Sequence, residues 1–174
     1  MKKIGITGSI ASGKTTASKI ISYKRGPVFS ADDVVKKLYK QIKFQRLIKK
    51  SLKLELNKNF KQEIKKQIFK NETFLTKLEK IVHPLVRKKM NKFILQNKNK
   101  KLLFFEIPLL IESNLKRYFD VVIFIRSKEE IRLNRYRRNN GNEKLFKLLS
   151  KHQLKDKEKM KYCDFIVVNN KSLN

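Results

Sequence analysis

The run Gly8-Ser9-Ile10-Ala11-Ser12-Gly13-Lys14-Thr15 constrains this chain more than any other stretch. It fits G-x-x-x-x-G-K-[ST] and joins an apolar, strand-like segment to a helix-forming one, which is the setting that a phosphate-binding loop requires. Triphosphate oxygens must approach consecutive backbone N–H groups, and glycine permits both the approach and the positive φ that turns those groups inward. Gly8 and Gly13 supply that freedom. The helix expected from about Lys14 aims its unpaired N–H groups and the positive end of its dipole at the same anion. Lys14 adds a mobile charge near the β- and γ-phosphates, and the Thr15 hydroxyl is placed to ligate the Mg²⁺ that γ-phosphate transfer uses for charge neutralisation. Of five glycines in the chain, Gly5, Gly8 and Gly13 fall here, where backbone geometry demands them.

A length of 174 residues predicts one domain, 1–174, in which any second unit is an insertion. The first residues enter a strand with no apolar signal region, and no apolar run approaches the roughly 18 residues of a membrane span, so a cytoplasmic protein without membrane association is expected. Cys163 is the single cysteine, which excludes an intramolecular disulfide and a cysteine-based metal site; a reduced, half-buried thiol is expected. Lys and Arg total 44 against 15 acids, a net charge of +29, and such a balance raises nucleic acid or an acidic membrane as partner. The lysines, however, are spread along the whole chain among Asn and Ile rather than gathered in a patch. No obligate nucleic-acid partner is expected, and the field suits a steered anionic nucleotide equally well.

Beyond the loop, Gly26-Pro27 precedes a short strand at Val28-Phe29, and Ser30-Ala31-Asp32-Asp33 opens a helix. A carboxylate just past the second parallel strand lies beside the phosphate loop in a doubly wound sheet, so Asp32 or Asp33 can take a proton from an acceptor hydroxyl; helix capping explains the same residues. From Val34 to about Lys98 the apolar period is helical, with Phe60, Ile64 and Ile68 on one stripe and Leu75, Leu78, Val82, Leu85 and Phe93 on another. His83-Pro84 is expected to break that pattern as a cap or kink. Leu102–Phe105, Val121–Ile125 and Phe165–Val168 read as central parallel strands buried on both faces, five strands in all. Glu106 ends the third strand, where it either holds a magnesium water or is a solvated strand end; Asp120 opens the fourth. Arg132–Arg138 is a helical, guanidinium-rich segment broken at Asn139–Asn142, suited to clamping a transferring phosphoryl group; a basic RNA-binding helix is its rival.

Taken together, GITGSIASGKTT, Ser30-Ala31-Asp32, Ile81-Val82-His83-Pro84-Leu85-Val86-Arg87, Ile107-Pro108-Leu109-Leu110-Ile111-Glu112 and the ending Gln153–Lys159 with Cys163-Asp164-Phe165 resemble the dephospho-coenzyme A kinase family, in family order and over nearly the whole chain. The resemblance implies an α/β P-loop kinase fold: a five-stranded parallel sheet with flanking helices, a helical substrate-binding insertion at approximately 34–98 and a lid at approximately 132–152. It implies an ATP- and Mg²⁺-dependent transferase acting on the ribose 3′-hydroxyl of dephospho-coenzyme A, the last step of coenzyme A synthesis. Lys14, Asp32 and Arg138 are then catalytic. Gly8, Ala11, Ser12, Gly13, Lys14, Thr15 and Thr16 bind ATP, with Thr15 on the metal, and His83, Arg87, Leu109 and Glu112 contact the acceptor. ATP and dephospho-coenzyme A are the implied partners, and no oligomeric state follows. The chain departs from the family pattern where Ser30 replaces an acid, where Ser9 and Ala11 replace commoner glycines, and where Asn134 stands in place of the first lid arginine with Arg135 one position along. It is also shorter than most members. The alternatives are another P-loop kinase of nucleosides or nucleotides, and an RNA-binding module.

Overall fold

Short apolar runs separated by helical ones build a single parallel sheet in the computed structural model, which describes residues 1–54 and 59–171. Two compact units emerge. Residues Met1–Ser30 and the chain from Asn97 onward form the first, and Ala31–Gln96 the second.

The first unit opens with β1 (Lys2–Thr7), α1 (Lys14–Ser22) and β2 (Val28–Ser30). The second contributes α2 (Ala31–Tyr39), α3 (Ile42–Leu52), α4 (Phe60–Lys70) and α5 (Glu72–Gln96). The first then resumes with β3 (Leu102–Glu106), β4 (Val121–Arg126), α6 (Glu129–Arg138), α7 (Glu143–His152), α8 (Asp156–Met160) and β5 (Phe165–Val168). The strands are all parallel in the order β2-β3-β1-β4-β5. β1 is therefore flanked by β3 and β4, and the loop that leaves its carboxyl end sits where the winding changes direction, the usual position for a ligand in such a sheet. Register aligns Ile6 with Glu106 and Ser30 with the same Glu106, bringing the ends of β1, β3 and β2 level.

Ile6, Leu103, Phe105, Val122, Phe124 and Ile125 are fully buried, as continuous apolar strands covered on both faces require. β5 does not follow this rule. It ends the sheet beside β4, and its side chains are 40–60% exposed. A continuous apolar run reports its composition and leaves open whether the strand acquires two neighbours; Phe165–Val168 acquires one among the described residues.

In the second unit, Phe60, Ile64 and Ile68 on α4 are buried, as are Leu75, Leu78 and Val82 on α5. The Tyr39 ring stands 5.4 Å from Phe44 and 5.5 Å from Phe60, and burial pushes its hydroxyl up to about 12. His83-Pro84 does not end a helix as a cap would, because α5 runs through Pro84 without interruption. Proline deletes the N–H that would reach the Lys80 carbonyl; both residues are exposed, so water can replace that donor. The 34–98 range includes residues 55–58, which lie outside the described residues. Among those described, no helix is long and apolar enough to cross a membrane.

Candidate active site

The phosphate loop is shaped by its two glycines. A Cβ on Gly8 would stand 2.4 Å from the Ile125 carbonyl oxygen, so any side chain would force the loop away from β4. Gly13 has φ +89°, and a Cβ there would meet Asn169 Nδ2 at 2.2 Å. Ala11 holds φ 58° without the help of glycine, a left-handed conformation that costs an L-residue about 1–2 kcal/mol. α1 starts directly at Lys14, leaving its first N–H groups without intrahelical acceptors and turned to the loop side. The Lys14 side chain is buried, and its ammonium donates to the Ser9 carbonyl at 2.9 Å.

Thr15 and Glu106 meet below the loop. The Thr15 hydroxyl donates to Glu106 Oε1 at 2.6 Å, and the Ser18 hydroxyl lies 3.4 Å from Oε2. Glu106 is only 1% exposed, so it is not a solvated strand end. An ionisable carboxylate is costly to bury on hydroxyl partners alone. A hydroxyl and a carboxylate oxygen at this spacing are hard oxygen donors suited to Mg²⁺, so the residues present fit the ion that the loop implies.

The outer rim of the loop is held by α6 and by the residues after β5. Arg132 is buried; its Nε donates to the Ser127 carbonyl at 3.2 Å and its Nη1 to the Ile10 carbonyl at 3.4 Å. Arg135 Nη1 reaches the carbonyls of Asn169 at 3.1 Å and Ser12 at 3.5 Å, while Asn169 Nδ2 donates to the same Ser12 carbonyl at 2.9 Å. Arg138 is exposed in the last turn of α6, and its neighbour Arg137 pairs with Glu143, whose carboxyl is held below its ordinary range chiefly by that hydrogen bond.

The Ser9–Ile10 part of the loop is also bracketed by the residues running from the end of α7 into the start of α8. Gln153 Oε1 accepts the Ile10 N–H at 3.0 Å, and the Ser9 hydroxyl donates to Asp156. Glu112 accepts the Leu154 N–H at 3.1 Å and pairs at 2.6 Å with Lys159, which is fully buried. Leu109 is half-buried in the same turn.

Of the residues singled out from the sequence, the first unit gathers Gly8, Ala11, Ser12, Gly13, Lys14, Thr15 and Thr16 around the loop. It ties Leu109 and Glu112 into the turn after β3, and carries Arg138. Asp32, His83 and Arg87 belong to the second unit. Asp32 is exposed in the first turn of α2, whereas Asp33 pairs with Lys36 at 3.1 Å. His83 is half-buried and Arg87 exposed, one turn apart on α5. Sequence reasoning missed the loop contacts of Gln153, Asp156 and Asn169. The first two lie inside a motif to which no role had been attached, and Asn169 carried no signal at all.

Residues 2–174 match the family model described as CoaE, dephospho-CoA kinase. The dephospho-CoA kinase of Rickettsia prowazekii is 38% identical to this chain over 168 residues, spanning 96% of the chain and 87% of that protein. A dephospho-CoA kinase structure from Campylobacter jejuni is 30% identical, with a TM-score of 0.62 over 98% of this chain and 89% of that one. A solved structure from Thermus thermophilus, 25% identical, reaches a TM-score of 0.80 over 98% of this chain and 90% of that one. The match runs from the first strand to the last and takes in the loop, its buried acid and the segment that brackets it, and so the chain belongs to the dephospho-CoA kinase family.

Proposed function

We infer that this protein transfers the γ-phosphoryl group of ATP to the ribose 3′-hydroxyl of dephospho-coenzyme A, giving ADP and coenzyme A. The observation that carries the reading is the Thr15–Glu106 pair at the foot of a glycine loop with Lys14 already beside it. The loop N–H groups and the start of α1 hold the β-phosphate. Lys14 exchanges the Ser9 carbonyl for the bridging and γ-phosphate oxygens, where its charge offsets that of the transition state. Thr15 and Glu106 would hold Mg²⁺, Glu106 directly or through water; when bound, the ion neutralises phosphate charge. Asp32 accepts the proton of the 3′-hydroxyl as its oxygen bonds to phosphorus and the bond to the β-phosphate oxygen breaks, leaving ADP. Arg138 closes over the transferring group from the α6–α7 segment, which serves as the lid. The helical unit Ala31–Gln96 serves as the acceptor-binding insertion, with His83 and Arg87 on one face of α5, and Leu109 and Glu112 complete the acceptor contacts.

Release of ADP, followed by a coupled assay with and without dephospho-coenzyme A, tests this. ADP formation that depends on dephospho-coenzyme A, and stays low with adenosine, deoxyadenosine or shikimate as acceptor, is expected. Equal turnover on a nucleoside would move the assignment to another acceptor.

A further inference from the structure

Ser9 is a crossroads. Its carbonyl receives the Lys14 ammonium at 2.9 Å and the Ser12 N–H at 3.1 Å, while its hydroxyl donates to Asp156. Next to it, the Ile10 N–H is taken by Gln153 rather than left to face a ligand. We propose that Gln153 and Asp156 are positioning residues that fix the Ser9–Ile10 limb of the phosphate loop, and through the Ser9 carbonyl fix where Lys14 waits for ATP.

Three observations support this. The limb borders a cavity of about 610 Å³ whose lining is largely polar, with Ser9, Arg126, Arg132, Gln153, Asp156 and Asn170 among it, so on that side polar contacts rather than an apolar core hold the limb. The bracket that supplies them is itself anchored: Glu112 receives the Leu154 N–H from within it and pairs with the fully buried Lys159 just beyond it. A bracket anchored by a buried ion pair can impose a position on a loop, whereas a mobile segment would only follow it. Finally, the Ser9 side chain reaches Asp156 directly, beside the backbone contact that Gln153 makes to Ile10. The hydroxyl–carboxylate contact is thus a restraint built into this chain on top of the Gln153 contact.

A loop already held in its binding shape loses less freedom when ATP arrives, so the restraint acts on ATP affinity more than on the chemical step. The proposal rests on the loop being the ATP site. Isothermal titration of ATP reads it directly and independently of which acceptor the enzyme uses. Gln153→Met keeps the shape but removes the acceptor for the Ile10 N–H, and Asp156→Leu removes the acceptor for Ser9. Each is expected to raise the Kd and KM for ATP about five- to tenfold, the scale of one lost hydrogen bond. KM for dephospho-coenzyme A and the melting midpoint should stay at the wild-type values. Gln153→Glu and Asp156→Asn retain an acceptor oxygen and should restore the ATP Kd to within about twofold, as a bond of that kind predicts. If Asp156→Leu fails to fold, Ser9→Gly removes the same bond from the loop side and should weaken ATP to the same extent. Wild-type ATP affinity in Gln153→Met overturns the proposal. So do equal losses in the Met and Glu variants, or a loss shared by both substrates together with a lowered melting midpoint. No ATP binding by the wild-type protein would instead remove the functional reading underneath.

Discussion

Glu106→Gln should weaken catalysis while leaving the fold as stable as before or more so. The substitution keeps the side chain's size and leaves Oε1 able to accept the Thr15 hydroxyl, which now lies at 2.6 Å. It removes the full charge that makes this contact short and turns the oxygen near Ser18, at 3.4 Å, into an amide nitrogen. A hydrogen bond to a charged group contributes about 1.5–3 kcal/mol, so losing the charge-assisted part at the metal side corresponds to roughly a 10- to 150-fold fall in kcat/KM. The Mg²⁺ concentration for half-maximal rate should rise with it, since a hard cation has lost a negative donor. Stability moves the other way: a carboxylate that is 1% exposed gives up solvation that an amide never needed to the same degree. Steady-state rates across a Mg²⁺ titration, together with calorimetric melting, make the test. A variant that melts several degrees lower while keeping wild-type activity and Mg²⁺ dependence would show that Glu106 is a structural acid, and the assignment of the metal side of the loop would fall.

Asp32→Asn should lower kcat by orders of magnitude with ATP affinity retained, whereas Asp33→Asn, which weakens an exposed ion pair with Lys36, should stay near wild type; equal losses would remove Asp32 from the role of base. Arg138→Lys should lower kcat at constant ATP Kd, and Arg135→Lys should raise the ATP Kd, because lysine cannot reproduce the fork in which Nη1 reaches the Ser12 and Asn169 carbonyls while Nη2 reaches the Lys171 carbonyl; the reverse pattern would reassign the clamp. Burial pushes the Cys163 thiol from 9.0 up to about 11, so the folded protein favours the protonated form. The resulting stability is complete below about pH 9 and is lost as pH rises through about 11, and iodoacetamide at pH 8 should label the denatured chain far faster than the native one; equal rates would contradict the burial.

The phosphate loop was legible because its function is a backbone geometry, and glycine spacing records backbone geometry directly. The strands were legible for a similar reason, since a strand between two others is written as a short apolar run. What stayed hidden depends on partners far along the chain. Gln153 and Asp156 reach the loop across 143 and 147 residues, and no local pattern encodes such a meeting. Arg135 illustrates the same limit within one helix: a guanidinium-rich segment announces phosphate chemistry, but the packing of α6 decides that Arg132 and Arg135 face the loop while Arg138 stands one turn beyond. His83-Pro84 misled as a cap, because a proline need not end a helix where water can serve the freed carbonyl.

β5 leaves one side of the sheet open, with four apolar side chains and, among the described residues, an edge of backbone groups that no further strand takes up. Such an edge invites pairing with another molecule. Every copy also carries a net charge of +29, so two open edges approach each other against mutual repulsion. At about 0.15 M ionic strength that repulsion reaches only some 8 Å, and molar salt shortens it to about 3 Å. The lysine excess thereby acts as a colloidal stabiliser for an unfinished sheet: concentrated protein stays dispersed in dilute buffer and self-associates as salt is raised.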